Sequence, residues 1–130
     1  MKKLLLISFI IVTLIACKKQ KFSPEGPTDV RVRNLSDLPF TGVIVSTSGG
    51  IITVGDIAAG DTSEYFRFSK AYPKAEITAV INGEEFTTGP VNYTYMTWIG
   101  QAKITYHVFI SNLPNKTLQI HKVVLDAPLD

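Results

Sequence analysis

The feature that most constrains this chain is its punctuation. From Asp29 onward, short β-branched and aromatic runs are broken by turn residues about every ten positions, and no stretch keeps a helical period. Val30-Arg31-Val32-Arg33 alternates strictly, predicting valines inward and arginines outward, and ends at the turn-prone Asn34-Leu35-Ser36-Asp37. Phe40 to Thr47 and Ile51 to Ile57 read as strands joined at Gly49-Gly50, where glycine accepts positive φ at little cost. Thr62 to Ser69 is a further run, and Tyr72-Pro73 starts a turn. Glu76 to Ile81 alternates and meets Asn82-Gly83, a strong hairpin signal, before Glu85 to Thr88. Lys103 to Ile110 predicts a strand with Ile104, Tyr106, Val108 and Ile110 inward and Thr105, His107 and Phe109 outward, and Thr117 to Leu125 completes the set. Val91 to Gly100, after Gly89-Pro90, reads as either a strand or a packed loop.

Seven or eight short strands joined by tight turns predict an all-β domain over residues 29–130, an antiparallel immunoglobulin-like β-sandwich, with a small closed barrel as the alternative. The disulfide and buried-tryptophan pattern of antibody domains is absent, so the expectation concerns architecture alone.

The N-terminus has a different texture. Lys2 and Lys3 precede an apolar run, Leu4 to Ile15, which ends at Ala16-Cys17. As a helix that run would span about 18 Å, short of the roughly 30 Å hydrocarbon core, and charged sequence follows at once. Residues 1–16 therefore read as a cleaved signal peptide and residues 17–28 as a tether with Pro24, Gly26 and Pro27.

Leu14-Ile15-Ala16-Cys17 resembles the lipobox of bacterial lipoproteins. The resemblance implies diacylation of the Cys17 thiol, cleavage before it, and acyl chains (palmitate among them) as the membrane partner. One chain binds a bilayer marginally, whereas two or three hold a soluble domain firmly. Cys17 is the single cysteine, without an intrachain disulfide partner. In this family the residues after the cysteine direct sorting, and Lys18, Lys19, Gln20 and Lys21 imply the periplasmic face of an outer membrane rather than the inner membrane or the cell surface. These lysines read as a solvated tether, or as contacts to anionic headgroups at roughly 1 kcal/mol each.

A second resemblance rests on Val30 to Asn34, Gly55-Asp56-Ile57-Ala58-Ala59-Gly60, Thr62 to Tyr65 and Ala71-Tyr72. These look like small β-sandwich domains of unknown function in bacterial exported proteins, over roughly the first half of the domain. The resemblance implies a sandwich fold and no catalytic residues.

Charge argues against nucleic acid as a partner. Of 13 basic residues, Lys2 and Lys3 leave with the signal, so 11 remain against 11 acidic ones. Chemistry is equally sparse. His107 and His121, on adjacent predicted strands, lack an acidic or thiol companion there, so no metal site and no cofactor is expected. Ser36, Ser46 and Ser48 have no histidine near them in sequence, and Glu84-Glu85 point to opposite faces as strand neighbours. The expectation is a non-enzymatic interaction or structural module of the cell envelope. The alternative is a glycan- or peptide-binding accessory protein using Tyr93, Tyr95 and Trp98, with Tyr93 and Tyr95 on one face if the segment is a strand. Exposed rings there favour ligand binding, and buried rings favour a plain scaffold.

Overall fold

The computed structural model describes residues 26–128 and resolves the sequence periodicity into eight strands. They are β1 (Thr28–Asn34), β2 (Phe40–Thr47), β3 (Gly50–Ile57), β4 (Phe66–Phe68), β5 (Glu76–Ile81), β6 (Glu84–Thr87), β7 (Ala102–Asn112) and β8 (Thr117–Pro128). The signal peptide, Cys17 and the tether before Gly26 lie outside the described residues.

The antiparallel two-sheet sandwich is corrected. All eight strands belong to one mixed sheet, in the order β3-β2-β5-β6-β8-β7-β1-β4, which curls into a nearly closed barrel. The physical reason is a long-range pairing that no local turn encodes: β1 lies parallel to β7, from Thr28 opposite Ala102 to Asn34 opposite Val108. This pairing carries β1 across the sheet and delivers β4 to the far edge, where it nears β3. Val30 and Val32, Phe40, Val43 and Val45, Ile57, Phe68, Ile77 and Ile81, and Ile104, Tyr106 and Val108 then meet in one interior rather than between two layers.

Three devices bend and close the sheet. The β2 strand breaks register with β3 and β5 between Phe40 and Ile44, and the Gly42 amide inside this bulge donates to Asp56 Oδ1 at 2.8 Å. At one end of the barrel the fully buried Asn34 side chain ties three segments together. Its Nδ2 donates to the carbonyls of Leu38 (2.8 Å), Ile57 (3.2 Å) and Ala58 (3.3 Å), and its Oδ1 accepts from the Ser36 amide (2.8 Å) and hydroxyl (2.7 Å). At the other end the β2–β3 hairpin docks on the chain after β4. Thr47 Oγ1 donates to the Lys70 carbonyl and Ser69 Oγ to the Gly49 carbonyl, each at 2.8 Å. The hairpin loop is Ser48-Gly49, one residue earlier than the glycine pair suggested, because Gly50 pairs with Thr47 and opens β3.

Candidate binding groove

Asn82-Gly83 turns β5 into β6 as expected, with φ of 53° and 78°. The β6 strand is cut short by the Gly89-Pro90 step. Thr88 still donates its amide to the Ile77 carbonyl, but Gly89 adopts φ 84° and Pro90 brings no N–H, so the chain leaves the sheet. The β6–β8 ladder is therefore a single pair, Thr87 opposite Thr117. Beyond it, β8 continues with β7 on one side and a groove of about 730 Å³ on the other. That volume falls within the roughly 300–1,000 Å³ of ligand clefts. Pro73 to Ala75 and the loop after β6, through Val91 and Met96, form the facing wall. The β8 wall is Leu118 to Val123, every residue in turn. A strand face presents alternate residues, so an unbroken run shows that the groove meets the edge of β8.

Residues 91–100 form a loop with a turn at Thr94-Tyr95, so Tyr93 and Tyr95 do not share a strand face. Asn92 Oδ1 accepts from the Thr94 amide at 3.0 Å, and the Met96 amide donates to the Tyr93 carbonyl at 3.0 Å. Tyr95 at the tip is 98% exposed, and its neighbours Asn92 and Met96 line the groove. Tyr93 and Trp98 are half-buried and held from beneath. The Tyr93 ring packs on Tyr72 with centroids 4.6 Å apart, and its hydroxyl donates to the Ser46 carbonyl at 3.2 Å. Trp98 Nε1 donates to the Tyr72 hydroxyl at 2.6 Å while Lys70 Nζ sits 4.3 Å above the indole ring. The Tyr106 hydroxyl, reaching out of the core, donates to the Tyr72 carbonyl, and burial raises its pKa well above the usual phenol value. Tyr72 is thus the post on which the loop stands. In the sequence Tyr72 reads as the start of a Tyr-Pro turn and as part of the Ala71-Tyr72 resemblance, with nothing to mark it as a support.

The outer face of β1, β7 and β8 carries polar rows set by strand register. In one row Arg31 Nε donates to Thr105 Oγ1 at 2.8 Å, and Thr105 Oγ1 donates to Asp126 Oδ2 at 2.6 Å. The Tyr65 hydroxyl also donates to Asp126 Oδ2, at 2.8 Å. This cover buries Thr105 although it points outward. The next row places Arg33 opposite His107 and His107 opposite Lys122. Burial, then Lys122 and Arg33, hold the His107 pKa below its ordinary 6.5; His121 adds to the lowering and Asp126 opposes it.

A folded-state pKa below the unfolded value means that the His107 contribution is present above pH 6.5 and is lost as pH falls through the folded pKa. Lys122→Gln should therefore raise the His107 titration midpoint toward 6.5 and lessen acid destabilisation below that pH. A proton-NMR titration of the imidazole checks this, and an unmoved midpoint would show that Lys122 exerts no field there.

His121 lies at the β8 register shift and meets the Phe109 ring edge-on at 6.0 Å, beside the groove rather than facing His107 across the ladder. Among the described residues no three His, Cys, Asp or Glu side chains converge as metal ligands. Glu84 pairs with Lys116 at 3.3 Å, and Glu85 is exposed opposite Val80.

No known protein family and no curated protein matches the chain. Among solved structures, an NMR structure of a protein from Eubacterium rectale is similar. It has 20% sequence identity, spans 78% of this chain and 95% of that one, and superposes with a TM-score of 0.49.

Proposed function

We propose that this chain is a non-enzymatic interaction module of the cell envelope, anchored by acyl chains on Cys17, and that its ligand surface is the groove between β8 and the loop after β6. The observation that carries the ligand surface is the open seam: the barrel leaves one wall unpaired beside a cleft of ligand size, with Tyr95 exposed at its rim. The anchor rests on the Leu14-Ile15-Ala16-Cys17 tetrapeptide and the apolar run before it. The periplasmic face of an outer membrane fits the lysines after the cysteine. The partner in this reading is an envelope protein or glycan, and the ring of Tyr95 suits either, since an exposed aromatic offers area at low entropic cost.

One experiment tests both halves. The full chain and its Cys17→Ser variant, made in a bacterium that processes lipoproteins, are fractionated into membrane and soluble pools. The wild type should sediment with membrane and begin, by mass spectrometry, at a Cys17 that carries acyl chains, and the variant should lack that acyl mass; a wild type without acyl chains on Cys17 refutes the lipid anchor. Detergent-extracted wild type and the double variant Tyr95→Ala, Met96→Glu are then compared for retention of envelope components. Equal retention by both refutes the groove as the ligand surface.

A further inference from the structure

We infer that the free edge of β8 binds an extended acidic peptide as an added strand. The inference rests on the groove reading above and names the ligand class for it. A strand edge offers a row of N–H and C=O groups that only another extended backbone can satisfy in full. On the side away from β7, β8 has one ladder partner, Thr117 with Thr87, and the adjoining backbone bond runs from the Thr87 amide to the Lys116 carbonyl at 3.2 Å. From Leu118 onward, no backbone hydrogen bond on that side occurs among the described residues. Residues 118–123 would span about 20 Å at 3.3 Å per residue, room for a strand of comparable length.

The side chains along the edge supply the rest of the specification. Ile120 and Val123 pack against the core cluster and Leu118 is buried within it, so the inner side of an added strand would meet apolar groups. Lys74, His121 and Lys122 also line the groove, and no carboxylate does. Neither Lys74 nor Lys122 makes a salt bridge among the described residues. An incoming segment with apolar residues on one side and carboxylates on the other satisfies both. A second copy of the chain fits less well, because antiparallel pairing of two β8 edges brings His121 and Lys122 of one copy toward those of the other. Lysines and bulges on an edge are a familiar guard against such self-association, and β8 carries a register shift next to Lys122.

The test uses the full chain in detergent and three blocked hexapeptides: alternating glutamate and valine, alternating lysine and valine, and the glutamate–valine peptide with every backbone nitrogen methylated. Binding is followed by calorimetry and by hydrogen exchange read by mass spectrometry. The glutamate–valine peptide should bind and slow exchange over residues 118–123. The lysine–valine peptide should bind about tenfold more weakly or worse, and Lys122→Glu should weaken the acidic peptide by about tenfold at low salt. The methylated peptide should not bind, since it keeps the side chains and loses the backbone donors. Binding of the methylated peptide at equal strength, binding without slowed exchange at 118–123, no binding at all, or a sedimenting dimer abolished by Lys122→Glu would each overturn strand addition. If peptides fail while Tyr95 and Met96 still govern retention of envelope components, strand addition falls and the groove reading stands. Loss of both effects removes the groove as well.

Discussion

Asn34→Ala should lower the unfolding free energy by about 2–4 kcal/mol, a large loss for one polar side chain. The side chain is fully buried, and its Nδ2 serves carbonyls on the β1–β2 turn, at the end of β3 and just after it. Truncation removes the Nδ2 bond from all three carbonyls, of which Ala58 keeps the Asp61 amide and Leu38 the Ser36 hydroxyl, and it frees the Ser36 turn from Oδ1. For a domain of this size the loss corresponds to a melting temperature lower by roughly 10–25 °C. Asn34→Asp separates the donor from the volume. It keeps the acceptor for Ser36 but turns a carboxylate toward carbonyl oxygens, so it should be at least as damaging at pH 7. Acid should restore part of the loss, because a protonated carboxyl can again donate. Urea unfolding at pH 7 and pH 4 measures both variants. A loss below about 1 kcal/mol for the alanine variant would show that Asn34 is not the tie that closes this end.

Asn34 also shows where sequence reading stops. Beside Leu35-Ser36-Asp37 it reads as a turn residue, and it does begin one, yet two of its carbonyl partners lie 23 and 24 residues away. Local patterns translated well. Glu76 to Ile81 buries Ile77, Ala79 and Ile81, Asn82-Gly83 makes the hairpin, and Val30 and Val32 face inward. The architecture did not translate, because a sandwich and a barrel share the same strands and turns. They differ in which distant strands pair, and β1 with β7 is a parallel pairing across 74 positions. Thr105 was legible as outward but not as buried, since the residues covering it come from β1, β8 and the chain before β4. The groove was hidden for a similar reason. It arises where β8 outlasts β6, and the sequence shows only the Gly89-Pro90 step that ends the shorter strand. Tyr93, Tyr95 and Trp98 were legible as a group, but the structure separates the exposed ring from the two that Tyr72 holds down.

Gly49→Ala should cost about 2–3 kcal/mol, for a reason unlike the usual one for a turn glycine. Gly49 is not among the residues with positive φ, so an alanine suits its backbone conformation. What it lacks is space: a Cβ there would sit 2.4 Å from the Lys70 amide nitrogen and 2.7 Å from the Lys70 carbonyl oxygen. Those are backbone atoms and cannot swing aside as the end of a flexible side chain can. The methyl must push the β2–β3 hairpin off the segment after β4, breaking the bonds from Thr47 to the Lys70 carbonyl and from Ser69 to the Gly49 carbonyl. Those contacts hold the β3 and β4 edges together, where the sheet does not close by strand pairing. Gly60→Ala is the matched control. Its φ of 78° penalises alanine, but nothing lies within 4 Å of the added carbon, so its cost should stay near 1 kcal/mol. Urea midpoints give the two losses, and hydrogen exchange locates them: Gly49→Ala should speed exchange in Gly50–Ile57 and Phe66–Phe68 while Gly60→Ala leaves Phe66–Phe68 unchanged. Equal midpoints for the two variants would mean that the hairpin rests on Lys70 without holding it, and that the barrel stays shut at this edge by its core alone.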